Sequence, residues 1–117
     1  MLRNFSLAAL CGALLGVSSP ASAEATGAEF LAKIDAGDKT ILYVLDGYAN
    51  GFLWANAAMN ARTGEQLFCA PGKLAITADQ NADILRQHIK HHPKDGGLPA
   101  GFALLEAYQA TFPCPAK

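Results

Sequence analysis

No serine occurs after Ser22. From residue 24 onward there is therefore no serine elbow, and serine-nucleophile hydrolysis is excluded. Charge is thin as well: nine Lys and Arg stand against ten Asp and Glu, and they form no basic run. Nothing there neutralises a row of phosphates or grips an anionic membrane, which argues against nucleic acid and lipid partners. Phosphate-cradling glycine loops and dinucleotide fingerprints are missing too. Cysteine is limited to Cys11, Cys69 and Cys114, with no CxxC spacing of the kind zinc or dithiol redox chemistry uses. The amino-terminal apolar run, Phe5 to Val17, falls short of the roughly 20 residues a membrane-spanning helix needs.

What is present at the amino terminus has the three parts of a secretory signal. Arg3 supplies the positive charge, the apolar run follows, and Ala21-Ser22-Ala23 gives the small-x-small pattern that a signal peptidase accepts. The reading predicts residues 1–23 as a cleavable signal peptide, cut between Ala23 and Glu24, and a product outside the cytoplasm with no membrane attachment after cleavage. Lipidation at Cys11 is the weaker alternative, because Leu10 stands where a small residue is required. Of 117 residues, loss of 23 leaves 94, and loss of Arg3 takes the formal net charge from −1 to −2. That length predicts one domain, residues 24–117, near the size where a single apolar core is barely sufficient. Cys11 leaves with the signal, so Cys69 and Cys114 remain as an even pair in an oxidising compartment. A bond between them closes a loop of about 45 residues and contributes ~4 kcal/mol in the chain-entropy picture. A reactive thiol or a metal ligand is the competing reading for either cysteine.

Periodicity then predicts four helices. Thr26 and Glu29 have capping-box spacing before Phe30, Leu31 and Ile34, and Gly37 is a natural stop. Residues 39–62 are contested. Thr40 to Leu45 has strand composition, and Asp46-Gly47 and Asn50-Gly51 are hairpin dipeptides. Against this, Ile41, Leu45, Tyr48, Phe52, Ala55 and Met59 keep one side apolar at helical spacing, which favours one long helix. Gly47 and Gly51, four apart on one face, then predict close approach by another helix, and Trp54 is expected in the core. A membrane dimer is disfavoured by Asp46, Asn50, Asn56 and Asn60. Thr77 and Gln80 form a second capping box, followed by Ile84, Leu85 and Ile89, and Pro93 stops that helix at His92. Lys94 to Gly97 is expected to be an exposed hinge. Pro99 opens a last helix in its first turn, with Phe102, Leu105, Tyr108 or Gln109, and Phe112 following at helical spacing. The predicted fold is all-α, a compact bundle of about four helices with one intramolecular disulfide.

Chemistry is scarce in this pattern. His88 can share a helix face with His91 or His92 as a metal pair, but no third ligand follows at a predictable spacing. Histidines at that place also suit a helix carboxyl end. Asp35, Asp38 and Asp46 fall at helix ends or boundaries, where capping or solvated roles are usual. No catalytic set, metal or cofactor is expected, and a small binding domain is the better reading.

Several elements in order give the chain a family resemblance. They are Gly47-x-x-x-Gly51 on a helix, the Phe68-Cys69-x-Pro71 turn, Thr77-x-x-Gln80 opening a helix, His92-Pro93 closing it, and a terminal Phe112-Pro113-Cys114. From about Glu29 to Cys114 it resembles the Rap/Tai family of type VI secretion immunity proteins. The resemblance implies a periplasmic all-helical protein, frequently a homodimer, with one intramolecular disulfide and residues 39–62 helical. It implies a protein that binds and blocks a secreted peptidoglycan amidase or endopeptidase effector, with the motif residues structural. Toxin contacts vary in that family and none is carried over. The tip formed by His91, His92, Lys94 and Asp95 with Gly96 and Gly97 is the candidate partner-binding surface, set against an ordinary solvated connection. The alternative function is a small periplasmic chaperone or stress-response protein.

Overall fold

Two copies of one local device start helices in this structure, a computed structural model that describes residues 24–72 and 75–116. The predicted signal peptide, including Ala23, lies outside the described residues. At α1 (Gly27–Asp35), the Thr26 hydroxyl accepts from the Glu29 N–H while the Glu29 carboxylate accepts from the Thr26 N–H. Thr77 and Gln80 repeat this reciprocal cap at α3 (Ala78–His91). Each box satisfies amides that have no partner inside the helix.

Between them runs α2 (Lys39–Thr63), capped by the Asp38 carboxylate on the Ile41 N–H at 3.1 Å. It ends at Gly64, whose φ of +72° is the left-handed geometry that closes helices. The local strand signals lose here to the longer helical pattern. Pro93–Gly97 forms a short 3₁₀ helix and α4 (Ala100–Thr111) completes the bundle, with Pro99 as its cap rather than its first residue. The chain ahead of α1 is fastened to the start of α4: Gly27 N–H donates to Leu98 O at 3.0 Å and Ala100 N–H to Ala25 O at 2.9 Å. The Cys69–Cys114 disulfide is present, with a Cα–Cα distance of 4.8 Å.

Packing corrects several details. The inward face of α2 is Leu42, Leu45, Ala49 and Asn56, so Ala55 of the expected stripe is exposed. A polar Asn56 inside that face is what hid it from a hydrophobic count. On α4 the buried residues are Ala100, Ala103, Leu104, Ala107 and Tyr108, while Phe102 is 50 % exposed. Alanines are weak signals in a pattern, but they let α4 sit deep between its neighbours. Trp54, expected in the core, is 78 % exposed.

The close approach predicted at Gly47 and Gly51 occurs elsewhere. A Cβ built on either would meet nothing within 4 Å, whereas one on Gly27 would lie 3.0 Å from the Ala103 Cβ. Gly27 is therefore where two helices need the missing side chain. Nor is Lys94–Gly97 a free hinge. Gly96 is buried, and a Cβ there would stand 3.3 Å from Ile89 and 3.4 Å from Ala28.

Candidate functional site

Three groups of residues can be built from the sequence upward: the disulfide end, a polar relay through the core, and the tip after α3. At the disulfide end, Phe68 is completely buried, and its ring packs 5.2 Å from that of Tyr108, which in turn lies 5.7 Å from Phe112. The Cys69 N–H donates to Phe112 O at 2.8 Å, so the backbone is joined beside the sulfur bridge. Asn56 holds the segment from below. Its Nδ2 donates to Phe68 O at 2.9 Å, and its Oδ1 accepts from Leu67 N–H at 2.7 Å and more weakly from Phe68 N–H at 3.4 Å. A buried loop backbone must find such partners. The structure thus brings Phe68, Cys69, Phe112 and Cys114 together, with Pro113 exposed beside them and Pro71 exposed farther along the turn. Asn56 is the residue that sequence reasoning passed over, although an Asn on an otherwise apolar inward face is the signal that finds it.

The relay joins three helices. The Tyr108 hydroxyl donates to the Asn81 Oδ1, and the Asn81 Nδ2 donates to the Asp46 carboxylate at 2.9 Å. Asn50 adds a second donor to Asp46 at 3.3 Å. Burial and the Asp46 charge push the Tyr108 phenol up to about 12 from its ordinary 10. The unfolded chain therefore gives up this proton first, and between pH 10 and 12 the folded state holds more protons. Stability is expected to fall by ~3 kcal/mol across that window through this group. Urea denaturation at pH 9, 10 and 11 measures the slope, and Tyr108→Phe flattens it.

At the tip, the His88 Nε2–H donates to the Asp95 carboxylate at 2.8 Å, which fixes its tautomer since a carboxylate only accepts. His92 stacks on His88 with ring centroids 4.6 Å apart, and its Nδ1 is 3.3 Å from His88 O. His91 places Nδ1 2.8 Å from Gln87 O. The His91 and His92 rings thus sit against the last turn of α3, each beside the carbonyl four residues earlier. His91, His92 and Lys94 are exposed and Asp95 is half-buried by its bond to His88. A hollow of about 170 Å³ lies beside them, floored by Ala110 and Thr111. Among the described residues, no three His, Cys, Asp or Glu side chains are grouped to hold a metal. The three aspartates have local work: Asp35 pairs with Arg86 at 2.7 Å, Asp38 caps α2, and Asp46 anchors the relay.

The arrangement is that of a small helical domain with its carboxyl end locked by a disulfide. A family model described as Rap1a immunity proteins matches residues 6–114. The chain belongs to that family, and membership implies an immunity function against a secreted effector. No curated protein and no solved structure matches it.

Proposed function

We propose that the chain is exported to the periplasm and there, as a homodimer, binds and blocks a peptidoglycan amidase or endopeptidase delivered by type VI secretion. The observation that carries this is the family match across residues 6–114. Two features support its finer parts. The amino-terminal residues have signal-peptide grammar. The Cys69–Cys114 bridge suits an oxidising compartment, where a peptidoglycan hydrolase also acts. Blocking a cleft needs surface complementarity and a rigid frame, and the frame here is a clasped bundle.

The test first looks for an amidase-like reading frame beside that of this chain and directs its product to the periplasm of a host, with and without this chain. Lysis is expected from the effector alone, with survival restored by the exported chain but not by a version lacking residues 1–23. Undiminished lysis rejects the cognate assignment. Protection by the version lacking those residues rejects the export.

A further inference from the structure

Asn50-Gly51 signals a hairpin in the sequence but lies inside α2. Four asparagines follow residue 24, and three of them, Asn56, Asn60 and Asn81, each precede an alanine. Asn50 alone precedes a glycine, whose amide nitrogen has no Cβ beside it to hinder close approach. Packing does not explain that glycine, since a Cβ built on Gly51 would meet nothing within 4 Å. A glycine inside a helix also weakens it relative to alanine. Asn50 is exposed, and its Nδ2 donates to the Asp46 carbonyl at 3.0 Å and to the Asp46 carboxylate at 3.3 Å.

We propose that Asn50 is a self-modification site, locked while α2 is helical and released when it unwinds. The reaction needs only water. The Gly51 nitrogen, giving up its proton, bonds to the Asn50 Cγ, and the Cγ–Nδ2 bond breaks to release ammonia. Water then opens the five-membered imide at either carbonyl. The product is aspartate, or its isomer with the main chain routed through Cγ. Three features of α2 hold the reaction off. Ring closure requires Asn50 to leave helical dihedrals. The Gly51 N–H is engaged in the helix ladder with the carbonyl four residues back. The two bonds to Asp46 draw the Asn50 amide toward the preceding turn, away from the Gly51 nitrogen.

The change reaches the core. Asp46 also accepts from the Asn81 Nδ2 at 2.9 Å, and the Asn81 Oδ1 accepts from the buried Tyr108 hydroxyl. A carboxylate at position 50 faces the Asp46 carbonyl and carboxylate with no proton to donate, and like charges four apart on a helix repel. Asp46 is thereby pulled from its bond to Asn81. The isomer does more damage, because its extra main-chain carbon interrupts the ladder of α2. A molecule that stays unfolded is thus converted irreversibly into one that refolds poorly, while folded copies are spared. None of this depends on the effector.

Peptide mapping by mass spectrometry tests it, on the purified, oxidised chain held at mildly alkaline pH with and without guanidinium chloride. In the unfolded chain, Asn50 is expected to convert well ahead of Asn56, Asn60 and Asn81. In the folded chain its conversion is expected to be at least roughly a hundredfold slower, since reaction then waits on rare opening of α2. Gly51→Ala, for which there is space, is expected to bring the unfolded rate at position 50 down to that of the Asn-Ala pairs. Equal rates in the folded and unfolded chain overturn the lock. An Asn50 no faster than the Asn-Ala pairs overturns the site. Asn50→Asp is expected to weaken the folding equilibrium roughly tenfold through a lost donor and a like-charge pair, whereas Asn60→Asp changes it little. An Asn50→Asp melting curve that superimposes on the wild type overturns the link to the core.

Discussion

Replacing both cysteines, C69A/C114A, is expected to lower the unfolding free energy by about 4 kcal/mol. For a domain of this size total stability is on the order of 5–15 kcal/mol, so the loss is a large share. The mechanism lies mainly in the unfolded chain, where the bridge restrains a loop whose ends are 45 residues apart in sequence. In the folded state, the Cys69 N–H to Phe112 O bond and the Phe112–Tyr108 ring contact remain, but without the covalent tie they fray together. Cys114 is exposed and Cys69 half-buried, so dithiothreitol is expected to reproduce the effect in the native protein. Urea denaturation with and without reductant measures it. Equal midpoints would show that the bridge adds nothing.

Asn56→Ala is the second large effect, expected at about 3 kcal/mol. The side chain is 8 % exposed and makes one donor and two acceptor contacts with the backbone of Leu67 and Phe68. Its removal leaves the buried Phe68 carbonyl without a partner, which costs ~1–3 kcal/mol, and takes away the acceptor of the part-buried Leu67 amide. The Phe68 ring sits on these atoms at the centre of the core, so the damage extends to its contact with Tyr108. By contrast, Asn60→Ala, on the exposed side of the same helix, is expected to change stability by less than ~0.5 kcal/mol. Thermal denaturation of the pair separates a buried bracket from a generic loss of Asn. Equal melting temperatures would dismiss the bracket.

The helix starts were legible because their grammar is local. Thr26 with Glu29 and Thr77 with Gln80 announce a start within four residues, and both boxes form as read. The pairing of Cys69 with Cys114 was legible by counting. Rotation of a helix about its axis was not, because it depends on what the neighbours offer. α4 buries alanines and leaves Phe102 half out, an arrangement no hydrophobicity ranking favours. α2 turns a polar Asn56 inward because the loop backbone at Leu67 and Phe68 needs partners, and it turns Trp54 outward. Gly47 and Gly51 were visible as a close-packing signal, but among the described residues nothing lies within 4 Å of a Cβ built on either, and the glycine used for that purpose is Gly27. The tip was visible only as a cluster of histidines. Its stacking and the His88–Asp95 bond arise because Pro93 ends α3 and a 3₁₀ turn folds Asp95 back.

These particulars converge on a molecule whose reactive-looking side chains are occupied by its own architecture. The histidines serve a helix end, the aspartates serve caps and the relay, and both cysteines past residue 24 are joined to each other. Membership in the Rap1a immunity protein family implies that this frame serves immunity against a secreted effector. The most direct measurement adds the purified, oxidised chain stepwise to a purified candidate effector of the proposed amidase class while hydrolysis of isolated peptidoglycan is followed. The account predicts a linear fall in rate that reaches zero at a fixed molar ratio. Full hydrolysis in the presence of excess chain would contradict it.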